Sequence, residues 1–209
     1  VEVVHLLLSK SDIDINKARD TGATALFIAS QNNHVEVVEL LLSRSDIDIN
    51  KAEKDGATAL TVASYEGHVE VVELLLSKSD IDINKTWDSG ATALYSASYE
   101  GHVEIVRLLL SKSDIDINQA QDGGGTALYV ASQLGHVEVV RLLLSKSDID
   151  INTVDDIGGF TPLEKAKKFG NMEIVKLLQV KAQELEEKKQ KIRDKNKEKK
   201  KRQKARKRI

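Results

Sequence analysis

With 209 residues, no cysteine, one proline and 31 basic against 33 acidic side chains, the chain has room for one domain or two small ones. It carries no disulfide framework and no thiolate metal site. Its apolar runs are too short to span a membrane, and the opening stretch VEVVHLLLSK lacks the basic flank and cleavage site of a signal peptide.

Aromatics make up only 4% of the residues, fewer than a single compact core of this size usually holds. The Leu, Val, Ile and Ala must therefore be buried in some other arrangement. The chain opens on VEVVHLLL, an apolar-striped helix, and then runs into SDIDIN, which ends at Asn16. The same hexapeptide ends again at Asn50, Asn84, Asn118 and Asn152, with a constant step of 34 residues. His34, His68, His102 and His136 keep that step, as do Leu26, Leu60, Leu94 and Leu128. A period of this length means stacked units, each too small to bury its apolar face alone.

Within one unit, Thr58 stands before ALTVAS and predicts the N-cap of a short helix. Gly67 predicts its left-handed end, and Asn33 takes that place in the first full unit. A second helix, HVEVVELLLSK, presents Val69, Val71, Val72, Leu75 and Leu76 as an apolar stripe, with Glu70 and Glu73 facing water. The linker SDIDINKAEKDG is rich in turn formers, and Ile81 and Ile83 alternating with Asp80 and Asp82 predict a short extended segment.

DGATALTVASYEGHVEVVELLL followed by IDIN closely resembles the ankyrin repeat, and the resemblance covers residues 1 to about 179. Two departures are clear: the family's TPLH has become TALF, TALT, TALY and TALY, and the linker is one residue longer. The resemblance implies an all-α repeat solenoid of helix–turn–helix units joined by β-hairpin-like loops. Residues 1–16 read as the second helix and linker of a truncated repeat, 17–152 as four full repeats and 153–179 as a capping repeat. The opening on an unpaired second helix predicts further repeats upstream. At the other end the period slips by one residue near Gly159, and the polar Lys167 and Gln179 replace the serine and the third leucine of earlier units. Polar residues on that face are what a terminal cap needs.

Residues 180–209 form a basic tail with 15 Lys+Arg and 5 Asp+Glu, a net charge of +10, whereas residues 1–179 carry 16 and 28, a net −12. The tail has no proline or glycine and predicts a charged helix leaving the last repeat, with Leu178, Leu185 and Ile192 spaced by seven. Lys199, Lys200, Lys201, Arg202, Lys204, Arg206, Lys207 and Arg208 resemble a nuclear import signal, and the same charge would hold nucleic acid or anionic lipid without sequence preference.

Catalysis needs unlike groups converging, and a repeated chain offers the same residue once per unit along a rod. The chain is therefore read as a non-enzyme with no cofactor and no metal. The histidine column could be a metal ladder, but units stacked at about 8–10 Å keep its members apart, and the resemblance implies a structural hydrogen bond instead. The DIDIN segments fail as calcium loops, since Lys51 and Ala57 stand where glycine and glutamate are needed.

Columns that vary between units are free of packing demands. At the hairpin tips these are Arg19, Glu53, Trp87 with Asp88, and Gln121; at the end of the first helices they are Gln31, Tyr65, Tyr99 and Gln133. In the ankyrin family both regions line the concave face that grips partners. Tyr and Trp are enriched in binding hot spots, which makes Tyr65, Trp87 and Tyr99 the expected anchors; Phe27, Tyr95 and Tyr129, in a column that the resemblance places partly between repeats, read either as further contacts or as packing rings, with packing favoured. The expectation is an intracellular, cytoplasmic, monomeric scaffold that binds a basic or mixed-charge protein. Two alternatives stand beside it: an adaptor that reaches the nucleus or nucleic acid through its tail, and the targeting module of a larger enzyme.

Overall fold

The computed structural model describes residues 2–10 and 12–206. Eleven helices occur among the described residues: α1 Glu2–Leu8, α2 Ala25–Gln31, α3 Val35–Leu42, α4 Ala59–Glu66, α5 Val69–Leu76, α6 Ala93–Glu100, α7 Val103–Leu110, α8 Ala127–Leu134, α9 Val137–Leu144, α10 Pro162–Lys168 and α11 Met172–Arg206. They form two layers. The first helices of the units, α2, α4, α6, α8 and α10, pack in one row, and the second helices, α1, α3, α5, α7, α9 and α11, pack in another. Among the described residues there is no strand; the one isolated β-bridge pairs Thr86 with Thr92.

Each first helix starts because a threonine hydroxyl accepts from the backbone N–H three residues on, at 3.1–3.3 Å for Thr24, Thr58, Thr92, Thr126 and Thr161. The helices α4, α6 and α8 end at left-handed Gly67, Gly101 and Gly135, and Asn33 takes a φ of 55° after α2. Glycine at 67 is required twice over: its φ is +84°, and a Cβ there would lie 2.7 Å from the His102 ring. The second helices bury the predicted stripe, so that Val71, Val72 and Leu75 are fully enclosed while Glu70 and Glu73 stay in water. The buried core is built of Leu, Val, Ile and Ala with only Phe27 and Tyr129 as rings, which accounts for the low aromatic content.

Three ladders tie the units together. Each hairpin tip donates to the one before it, as in Lys54 N to Thr21 O (2.9 Å), Asp88 N to Asp55 O (2.6 Å) and Asp122 N to Ser89 O (2.9 Å). Each linker asparagine bridges forward with both ends of its amide: Asn50 donates to Asp80 O (2.7 Å) and accepts from Asp82 N (2.8 Å), and Asn16, Asn84 and Asn118 repeat the pattern. A basic side chain from the following unit caps the C-terminal carbonyls of second helices: Arg44 on Leu8, Lys112 on Leu76, Lys146 on Leu110 and Lys181 on Leu144, at 2.5–3.0 Å.

The extended segment expected at Ile81 and Ile83 is not formed. Asn84 N donates to the Asp82 carboxylate (3.2 Å), which turns the chain, and Ile83 is buried inside that turn. Asparagine and aspartate offer the backbone this local partner, and it outcompetes the alternation.

Ser30, Ser64, Ser98 and Ser132 are fully buried, and their hydroxyls find no hydrogen-bond partner among the described residues. An unmet buried hydroxyl costs free energy that a methyl group does not. Ser64→Ala is therefore expected to raise stability by about 1 kcal/mol, through the removed polar group and the better helix propensity of alanine. A thermal melt showing Ser64→Ala below wild type would contradict this.

The last unit closes on Pro162 at the first position of α10, with Glu164 completing a capping box to Thr161. Lys167 and Gln179 are exposed. α11 buries Ile174, Val175 and Leu178 and packs half-buried Leu177, Ala182 and Leu185 against the stack. The composition changes after residue 179, but the packed part of the helix extends to Leu185. Residues 186–200 are all exposed, Ile192 included. No helix among the described residues is long and apolar enough to cross a membrane.

Candidate functional site

The variable columns sit on a rigid frame. His68 Nε2 lies 3.0 Å from Gln31 O, His102 Nε2 2.9 Å from Tyr65 O and His136 Nε2 2.9 Å from Tyr99 O. Each histidine thus holds the last turn of the preceding first helix. Asn171 does the same for the last pair, donating to Ser132 O and Gln133 O, both at 2.9 Å. No cluster of His, Cys, Asp or Glu suited to a metal ion occurs among the described residues. The asparagine shows that the column's work is hydrogen bonding to a carbonyl. His102→Asn is accordingly expected to retain most stability and His102→Ala to lose about 1 kcal/mol, as read by chemical denaturation.

The hairpin tips are equally fixed. Arg19, Glu53, Trp87 and Gln121 each donate their backbone N–H across the turn, to Ala23, Ala57, Ala91 and Gly125 respectively, at 2.8–3.0 Å. Their side chains differ in setting. Arg19 and Asp88 are exposed, and Gln31 is exposed at the end of α2. Glu53 is half-buried and accepts from the Thr21 hydroxyl at 3.4 Å; Gln121 and Gln133 are half-buried two units further along.

Tyr65, Trp87 and Tyr99 come together. With Tyr95, Ser89, Ala91 and Ser96 they line an open hollow of about 220 Å³ between the second and third full units. The Tyr65 and Trp87 ring centroids are 6.1 Å apart and the rings are inclined by 55°, within the favourable range for tilted aromatic pairs. Tyr65 and Tyr99 are 39% and 44% exposed. Trp87 is half-buried and leans against the small cluster that contains Ala57 and Val62. Its Nε1–H is buried without an acceptor. Trp87 is thus both part of the hollow's lining and packed against the units' interior. Of the column read either as contacts or as packing rings, Tyr95 is half-buried and lines the hollow, whereas Phe27 and Tyr129 are buried in the stack.

Glu100, first by its charge and then as a hydrogen-bond acceptor, pushes the Tyr65 phenol above its ordinary range, with smaller contributions from burial, Tyr99 and Glu66. Burial, followed by the neighbouring Tyr99, pushes the Tyr95 phenol up.

A second cluster of polar groups lies at the C-terminal cap and was not foreseen from the sequence. Asp155 is 6% exposed and accepts from the Tyr129 hydroxyl, Phe160 N (2.7 Å) and Gly158 N (3.2 Å), with Lys165 Nζ at 3.2 Å. The Tyr129 hydroxyl, then the Phe160 N–H, hold its carboxyl well below the usual carboxylate range. Lys165 also lies over the Tyr129 and Phe160 rings, 5.2 and 5.0 Å from their centroids. Every polar atom in this cluster has a partner within the fold, so it braces the cap. The only sequence signal was an aspartate in the hairpin column where Glu53, Trp87 and Gln121 stand before it.

The basic ladder was likewise legible only as a column: Lys10, Arg44, Lys78, Lys112 and Lys146 keep the 34-residue step, and Lys181 follows 35 residues on. Of the tail residues, Lys199 and Lys200 are exposed on α11. The side chains of Lys201, Arg202, Lys204, Arg206, Lys207 and Arg208 lie outside those described.

No curated protein sequence matches the chain significantly. The family described as ankyrin repeats (3 copies) matches residues 1–87, 48–121, 79–155 and 118–191 in overlapping registers. Ankyrin repeats are in general protein–protein interaction modules and typically non-catalytic. A 34-residue period, helix pairs in two rows, hairpin-tip ladders and a match over residues 1–191 agree: the chain belongs to the ankyrin repeat family.

Proposed function

We propose that the chain binds a protein partner along the concave face formed by its hairpin tips and first helices, with no catalytic step of its own. The observation that carries this is the meeting of Tyr65, Trp87, Tyr95 and Tyr99, half of the chain's eight aromatic residues, at one open hollow on that face. Rings held on a fixed backbone lose little entropy on binding, which is why Tyr and Trp dominate interface hot spots. Arg19, Gln31, Glu53, Asp88, Gln121 and Gln133 flank the hollow along the stack and would supply polar contacts at the rim. The net charge of −12 on residues 1–179 favours a basic or mixed-charge partner and a salt-sensitive on-rate. Affinity capture from native extract should recover a partner with wild type and lose it with a Tyr65→Ala/Tyr99→Ala double variant, whose exposed rings lie outside the buried core. Equal capture by both would remove the anchor assignment.

A second reading concerns the tail. α11 continues about 30 Å beyond Leu185, at 1.5 Å per residue, and residues 186–200 of it are exposed. Its run from Lys199 to Arg208 suits an import receptor or a nucleic-acid backbone. Charge reversal of Lys199, Lys200, Lys201 and Arg202 in the full chain is expected to abolish heparin or RNA retention at moderate salt. Unchanged retention would exclude the tail as a nucleic-acid handle.

A further inference from the structure

We propose that the hollow between Tyr65, Trp87, Tyr95 and Tyr99 is the seat of one arginine side chain carried by an extended segment of the partner. The inference rests on the concave-face reading and names the chemistry its central subsite selects.

The shape and charge of the site both point that way. The tilted Tyr65 and Trp87 rings, with centroids 6.1 Å apart, both contribute aromatic surface to the lining of the hollow. Cations are drawn to such faces within about 6 Å of the ring centre, and guanidinium also stacks flat on them. A hollow of about 220 Å³ suits one such side chain with part of its stem and is too small for a folded element. The carboxylates of Glu100 and Glu66 act on the Tyr65 phenol and push it up. Asp88 stands exposed at the tip beside Trp87. A neutral apolar ligand would leave these acidic groups without a counter-charge. A cation is stabilised by them before it touches the rings.

Guanidinium matches the hollow better than ammonium. It offers five donors in a fixed plane. The lining residues Tyr65, Tyr95 and Tyr99 carry hydroxyls that can accept, and the Glu100 carboxylate acts on the Tyr65 phenol from next to the hollow. An ammonium group is more strongly hydrated and cannot stack, so it gains less from the rings. The neighbouring units lack the device. In the columns of Tyr65, Trp87 and Tyr99 they carry Gln31, Glu53 and Gln133, so the seat occurs once and would fix the register of the partner along the stack.

Trp87 is the only tryptophan, so its fluorescence reports on this hollow alone. Titrate the full chain with the capped peptide Gly-Ser-Arg-Ser-Gly and with versions in which arginine is replaced by citrulline or by lysine. The arginine peptide is expected to give a saturable change with half-saturation in the region of about 1–10 mM, as a single side chain contact allows. Citrulline, which keeps the shape and loses the charge, should bind at least about fivefold more weakly, with lysine between the two. Glu100→Gln should bring the arginine response close to that of citrulline, and Tyr99→Leu should remove it while the melting temperature stays that of wild type. Equal response to arginine and citrulline, tighter binding of lysine, or no saturable change up to about 50 mM would each overturn the proposal. Partner capture separates this from the broader reading. If the peptides fail while Tyr65→Ala/Tyr99→Ala still abolishes capture, the concave-face reading stands and the arginine seat falls. If capture survives the double variant, the broader reading falls with it.

Discussion

Alanine at Tyr65 and Tyr99 together is expected to weaken partner binding by roughly a hundredfold or more, with the fold unchanged. Each ring is exposed by about two fifths, and each is carried on a helix end held by a histidine at 2.9 Å. Truncating a central aromatic anchor typically costs about 2 kcal/mol or more, and two such losses multiply in the binding constant. The cost to folding is small because neither ring belongs to the buried core, and exposed substitutions usually stay within about 0.5 kcal/mol. Trp87 calls for a gentler substitution. It leans on the cluster of Ala57 and Val62, so alanine there would remove packing along with contact area. Trp87→Phe keeps the support and should cost less affinity than the tyrosine pair. Surface plasmon resonance on the identified partner, paired with thermal melts of the same variants, reads both effects. Undiminished affinity in the tyrosine pair would place the partner elsewhere.

The largest expected effect on stability is at Asp155. Alanine there removes the acceptor of the Tyr129 hydroxyl and of two backbone N–H groups, and it leaves Lys165 beside two rings without its carboxylate. Buried partners that lose their counterpart are penalised more than exposed ones. The melting temperature should drop by several degrees, and more than for Tyr129→Phe, which removes one of these bonds only. The pH dependence follows from the sign of the shift. The carboxyl is held below its ordinary range in the folded chain, so the stabilisation is fully present above the unfolded value of about 4 and fades as the pH falls below it. The gap in stability between wild type and Asp155→Asn should therefore be wide at neutral pH and narrow steadily in acid. A gap that stays constant down to about pH 2 would show that the carboxylate charge is not what holds the cap.

The units themselves were readable because packing imposes the same demand every 34 residues. Thr58, Gly67, Leu75 and His102 each sit in columns that state their roles by repetition. The hydrogen-bonding role of the histidines is displayed most clearly by Asn171, which sequence comparison with the column alone did not single out because the period slips by one residue before it. Lys181 was hidden for the same reason. It looks like part of a charged tail, but it completes the ladder that Arg44, Lys112 and Lys146 begin. Ile83 was misjudged because alternation within four residues cannot compete with an aspartate side chain that offers a local hydrogen bond. At the site, variability marked Tyr65, Trp87 and Tyr99 as candidates, yet only three dimensions show that a hairpin tip and two successive helices bring them to one hollow. For Tyr95 the sequence left packing and contact open, because its column packs fully in other units, where Phe27 and Tyr129 are 5% and 7% exposed. The Asp155 cluster draws on three separate stretches of the last units, and no column could announce it.

The central claim is that the partner lies on the hairpin and first-helix face. The direct test places a photo-crosslinking benzoylphenylalanine at Tyr99 in one version of the full chain and at Glu73 in another. Glu73 is exposed on α5, in the second-helix row. Irradiation with the partner bound should give a covalent adduct from position 99 and none from position 73. An adduct from 73 with none from 99 would contradict the claim and put the binding surface on the second helices.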